Sequence, residues 1–155
     1  MTASTSLLSR QGHRLLQIGV ALILFSAFEG FAIPLLASPR IGLSAHTLSG
    51  FQGALLLAFG LIWPKLELSV ATAWAAFWCL IYSALAILAA YVVAGFLGVG
   101  IETIALTGEL PHGLARGSAA RETIIKILAY SSAPPGLAAF VLILWGLRGR
   151  AGEPA

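Results

Sequence analysis

Charge is what this sequence has least of. Asp and Glu together number 6 and Lys and Arg 9 in 155 residues, so 10% of the chain is charged against 59% hydrophobic, and the mean hydropathy is +0.94. That balance excludes a water-soluble enzyme and points to an integral membrane protein. A single cysteine, Cys79, excludes an internal disulfide and any multi-cysteine zinc or iron–sulfur site, and its apolar neighbours make it a packed, inert thiol. The net charge of +3 has no basic stripe behind it, which excludes nucleic acid as a partner. There is no nucleotide-binding glycine loop, no His-Glu-x-x-His and no ladder of arginines that would make a voltage sensor. Methionine is absent beyond Met1, and of the three histidines only His46 lies inside an apolar segment.

What is present is four uncharged runs. Leu15 to Ala37 carries only Glu29; Ile41 to Trp63 carries nothing but the titratable His46; Leu68 to Ile101 and Ile127 to Leu147 carry no charge. Each reaches the ~20 residues an α-helix needs to cross a ~30 Å hydrocarbon core. The chain therefore reads as one all-α domain over residues 1–155, a transmembrane four-helix bundle with helices at about 15–37, 41–63, 68–97 and 124–147. The third run is longer than a span requires and is expected to tilt or run into the interface around Gly95, Gly98 and Gly100. No run alternates with a period of two, as barrel strands would. The apolar N-terminal stretch is long and has no small-residue cleavage pattern before polar sequence, so it reads as a retained helix and not a signal peptide. Arg10, Arg14, Lys65, Arg148 and Arg150 fall on one side, which by the positive-inside rule places both termini in the cytoplasm, with the bundle in a bacterial inner membrane. Residues 102 to 122, rich in Gly, Pro and charge, read as an extramembrane loop or re-entrant lid. Pro34, Pro134 and Pro135 are expected to kink their helices.

Four short helices enclose little volume, so a pocket is easier to build between subunits than within one. Gly50, Gly53 and Gly60, with the Ala-rich third helix, favour close helix packing and a homo-oligomer.

The residues able to carry chemistry are few. At 100° per residue His46, Gly50, Gly53, Leu57 and Gly60 share one stripe of the second helix. The stripe has two readings: a helix-packing groove with His46 hydrogen-bonded near the interface, or a smooth face on which a haem lies with His46 on its iron. With no second intramembrane histidine, a haem there keeps an open position on iron, which means substrate chemistry and not simple electron transfer. Glu29 is a costly intramembrane carboxyl at a depth similar to Gln52, so a bond between them is expected, either fixing helix one on helix two or serving the pocket. Trp74, Trp78 and Tyr82 form an aromatic stripe of the kind that packs or belts an interface. Ser83 and Tyr91 project within ~80° of each other two turns apart, and Tyr91 is a candidate donor to a substrate oxygen. Arg40 and His112, on the same predicted side as His46, are either solvated loop residues or partners for an acidic cofactor group.

The run from Pro34 to His46, PLLASPRIGLSAH, followed by Gln52-Gly53 and by Trp63-Pro64-Lys65-Leu66, resembles the hydroxylaminobenzene mutase family, and so does the tail from Glu122 to Arg150. The same spacing of histidine, amide and Pro-basic-Leu resembles styrene oxide isomerase, a more distant relative with four membrane helices. The isomerase resemblance implies a trimer with haem b at subunit interfaces, the histidine at the position of His46 as axial ligand, and ferric iron acting as a Lewis acid on the substrate oxygen. It further implies that Gln52, where the family has asparagine, and Tyr91 hold the substrate. Ser83 stands where that isomerase has aspartate, and Glu29 is expected to supply the missing acid. Arg40, Gly50 and Gly53 would line the haem. The implied reaction is rearrangement of an arylhydroxylamine to an aminophenol; the alternatives are an aryl epoxide isomerase, giving an aldehyde by hydride shift, and a non-catalytic haem-binding membrane subunit. Both isomerisations are redox-neutral and suit small aromatic substrates drawn from the bilayer.

Overall fold

A computed structural model describes residues 3–100, 103–104 and 118–148. His112 and most of the expected loop lie outside them. The described residues form four long helices and no strand: α1 Ala3–Ala32, α2 Pro39–Ile62, α3 Val70–Leu97 and α4 Ala119–Gly146. All four are long and apolar enough to cross a membrane. The chain is a membrane protein.

Three helices begin earlier than their uncharged runs, α2 by only two residues. α1 has 30 residues, about 45 Å at 1.5 Å per residue, and so exceeds the hydrocarbon core by several turns. Arg10 and Arg14 therefore ride on helix that continues into the headgroup region. α4 starts at Ala119 with Glu122 in its first turn, where a carboxylate meets the positive end of the helix dipole. Pro34 ends α1 where a kink was expected, because it sits in the short 3₁₀ turn Ile33–Leu35; Pro64 closes α2 in the same way in Trp63–Lys65. Pro134 and Pro135 do lie inside α4. The α1–α2 turn is tied to the far end of α3 by Ser38 N–H donating to the Gly95 carbonyl at 3.0 Å, and α3 stops at Gly98, whose φ of +62° is the left-handed conformation of a helix cap.

α1 and α2 pack along a glycine seam. A Cβ built on Gly19 would lie 2.8 Å from the Gly53 carbonyl oxygen and one on Gly53 2.8 Å from that of Gly19; Gly12 and Gly60 stand in the same reciprocal relation at 2.8 and 2.9 Å. Backbones approach this closely only where side chains are missing, which is how helices associate without a hydrophobic driving force from lipid. α3 packs on α4 through fully buried alanines, among them Ala73, Ala76 and Ala139, and through Gly136, against which the Ser83 hydroxyl rests. α2 and α3 join the two pairs, but α1 and α4 do not come together. The result is an open row and not a closed barrel of helices, with Phe28, Phe31, Phe51, Tyr130, Leu137 and Trp145 exposed on its surface. Trp74 and Trp78 stack at 13°, both exposed, as an interfacial pair does.

Candidate active site

His46 is held by α1. Its Nδ1 lies 2.8 Å from the Ser26 carbonyl oxygen. A carbonyl can only accept, so Nδ1 carries a proton, and in the neutral ring the lone pair lies on Nε2. No described residue hydrogen-bonds Nε2. The contact is reinforced by the Ser26 hydroxyl, which donates to the His46 carbonyl at 2.9 Å and lies 3.2 Å from Nδ1. The ring rests over Gly30, where a Cβ would stand 3.3 Å from Cε1 and crowd the imidazole. Ser26 and Gly30, one turn apart on α1, are site residues the sequence reading missed. Fixing the tautomer from behind in this way is what metal-ligating histidines require.

Glu29 is close by but does not meet Gln52. Its Oε2 accepts from the Ser49 hydroxyl at 3.3 Å, and the same hydroxyl bonds the His46 carbonyl at 2.9 Å. Depth along the membrane was estimated correctly enough to reach the right part of α2, but Gln52 is rotated toward α3 while Ser49 sits at the α1 boundary. Gly50 and Gly53 face α1. Gly53 is consumed by the seam with Gly19, and a Cβ on Gly50 would press the Ser26 hydroxyl at 3.2 Å. The stripe is a packing groove below His46, because α1 occupies the space a flat ligand would need. Arg40 is exposed in the first turn of α2, and its carbonyl accepts from Ser44 at 3.3 Å.

The remaining candidates gather on the other side of α2. Gln52 and Ser83 share a cleft of about 190 Å³ with Leu48, Phe51 and Phe140. Tyr91 lines an adjoining groove of about 480 Å³ with Ser44, Thr47, Leu48 and Phe51. Leu48 and Phe51 line both, so the two adjoin as one largely apolar trough whose polar groups are Gln52, Ser44, Ser83, Thr47 and Tyr91. The Gln52 Oε1 is buried there without a partner. Leu48 and Phe51 project roughly 140–160° around α2 from His46 at 100° per residue. One chain thus carries His46 with Glu29 on the α1 side of α2 and Gln52, Ser83 and Tyr91 on its α3 side, with Leu43 and Thr47 of the groove lying roughly 60° and 100° around α2 from His46.

The family model for styrene oxide isomerase matches residues 11–148, a stretch that includes every one of these residues. The chain belongs to the styrene oxide isomerase family. It is 39% identical over 136 residues to hydroxylaminobenzene mutase HabB of Ectopseudomonas oleovorans, covering 88% of this chain and 80% of that protein. It is 31% identical over 129 residues to hydroxylaminobenzene mutase HabA of the same organism, covering 83% of this chain and 93% of that one. No solved structure matches. Membership places this family member among membrane isomerases.

Proposed function

We propose that this protein rearranges an arylhydroxylamine to an aminophenol, with haem b held on His46. The observation that carries the reading is the His46 imidazole, whose Nδ1–H is anchored on the Ser26 carbonyl while its Nε2 lone pair is left for a metal. Among the described residues no group of three or more His, Cys, Asp or Glu side chains gathers. A metal at His46 therefore draws its other ligands from a macrocycle, and the donor set fits haem. Bound haem supplies Lewis-acid polarisation of the substrate's nitrogen–oxygen bond.

The chain's own residues do the rest. The Tyr91 hydroxyl donates to the substrate oxygen as negative charge grows on it. Leu48, Phe51 and Phe140 hold the aryl ring and keep water from the cationic intermediate. The unpartnered Gln52 carbonyl accepts from the substrate N–H. That last contact favours the hydroxylamine over an aryl epoxide, which has no proton to donate. The epoxide reading rests on the family model's own description and is the second candidate. The separation of His46 from Gln52 and Ser83 around α2 supports a homo-oligomer, a trimer by the family resemblance, with the pocket at subunit contacts.

The test is product analysis of haem-supplied protein given phenylhydroxylamine or styrene oxide with no cosubstrate. Aminophenol is expected; conversion of the epoxide alone would replace the mutase reading with the isomerase one, and conversion of neither would leave a haem-binding subunit. The sequence contains no aspartate, so a carboxylate beside the reaction must be a glutamate. Glu29 is the one near His46, joined to it through Ser49. Glu29→Gln, which keeps the acceptor for Ser49, is expected to lower turnover by about 10- to 100-fold with haem retained; unchanged turnover would remove Glu29 from the mechanism.

A further inference from the structure

At the end of the molecule away from the α1–α2 turn, Leu7, Arg10, Gln11, Arg14 and Trp74 line a small cleft of about 90 Å³ between α1 and the start of α3. We propose that this cleft binds the phosphate of an anionic phospholipid. Three observations lead there. Gln11 is 2% exposed, and its Oε1 accepts from the Trp63 indole N–H at 3.0 Å. Because an indole N–H can only donate, the amide orientation is fixed and Nε2 is the free end. That NH₂ is buried with no partner. An orphan donor of this kind is costly, and a bound anion relieves the cost.

The second observation is charge. Arg10 and Arg14 stand one turn apart on the same face of α1, at the mouth of the cleft, and among the described residues neither forms an ion pair. Two arginines and an amide NH₂ lining one small space offer the donors a phosphate accepts. At about 90 Å³ the space is roughly three times the ~30 Å³ of a liquid water, room for a phosphate group and too little for a drug-sized organic ligand.

The third observation is position. α1 outruns the hydrocarbon core, the uncharged run starts at Leu15, and Trp74 stacks on Trp78 beside the cleft as interfacial aromatics do. The donors therefore lie at headgroup depth, and the exposed helix faces below them are apolar enough to follow acyl chains. A free phosphate would satisfy the same donors but gain nothing from that apolar continuation. Basic pockets at this depth between membrane helices are suited to anionic lipid headgroups.

The test is native mass spectrometry and thermal unfolding of the full chain with added phosphatidylglycerol, phosphatidylcholine or inorganic phosphate. Wild type is expected to retain phosphatidylglycerol over phosphatidylcholine by about 10- to 30-fold, with a higher Tm in the anionic lipid. Arg10→Gln combined with Arg14→Gln is expected to abolish that preference. Gln11→Glu, which keeps the acceptor for Trp63 but replaces the free NH₂ with an oxygen, should abolish it too. Each preference is read as a ratio within one preparation, so a general loss of stability cancels, and the exposed Arg14→Gln alone serves if the double variant does not fold. Equal retention of the two lipids by wild type, or a preference undiminished in the variants, overturns the proposal. Displacement of phosphatidylglycerol by inorganic phosphate, with the same gain in Tm, overturns the lipid as the ligand.

Discussion

Haem-supplied wild-type protein is expected to show a Soret band that His46→Ala lacks, together with a fall in turnover of about a thousandfold or more, the consequence of removing ~4 kcal/mol of transition-state stabilisation. The size of the effect follows from how the ring is held. The Ser26 carbonyl at 2.8 Å fixes the proton on Nδ1, Gly30 leaves room for the ring edge, and the Ser26 hydroxyl ties the His46 backbone to α1. The imidazole is thus pre-oriented, and neither His13 nor His112 lies in an uncharged run from which it could replace it. Ser26→Ala gives the graded comparison. It removes the hydroxyl contacts but leaves the carbonyl bond, so the band should persist and turnover fall only modestly. A Soret band of unchanged position and strength in His46→Ala would show that haem is bound elsewhere. No band in carefully supplied wild type would return His46 to a packing role and remove the Lewis-acid chemistry altogether.

The membrane bundle was readable from sequence because charge is so scarce: four long gaps between ionisable residues locate four helices. The ends were less readable. A guanidinium or carboxylate need not stop a helix outside the hydrocarbon core, so α1 runs on through Arg14 and Arg10, and α4 begins with Glu122 already inside it. His46 stood out for a chemical reason, being the one good ligand in an apolar span. Its supports did not, since Ser26 and Gly30 belong to residue types found throughout the chain and only the crossing of α1 over α2 brings them to the ring. The glycine stripe left two readings open for a related reason. A surface without side chains suits a macrocycle and a neighbouring helix equally, and periodicity cannot tell which arrives; here Gly12 and Gly19 arrive, facing Gly60 and Gly53. Glu29 shows the limit of depth arguments, for a rise of ~1.5 Å per residue gives a level and no azimuth. Ser49 and Gln52 are three residues apart, yet one faces Glu29 and the other faces Ser83 across a cleft.

The arrangement of these residues around α2 leads to the second large effect. Let His46→Ala chains be co-expressed with chains carrying Tyr91→Phe and Gln52→Leu together, each form being inactive alone. In a cyclic assembly a pocket takes its histidine from one chain and its trough from the next. Random mixing of equal amounts leaves about a quarter of all contacts with both halves intact; in a trimer selected to contain both forms about one contact in three is intact, and about a third of wild-type activity per chain is expected to return. Hetero-oligomers isolated through two different tags provide the sample, so a failure to mix cannot be mistaken for a failure to complement. If instead each chain held a whole pocket, every pocket in the mixture would still lack one half, and activity would stay at the level of the separate variants. The geometry favours the first outcome. His46 points toward α1, the trough opens between α2 and α3, and Leu48 and Phe51 lie roughly 140–160° around the helix from the imidazole. Within one chain the imidazole turned toward α1 and the Gln52 and Ser83 cleft on the α3 side lie on different sides of α2, and a second copy could bring the two together.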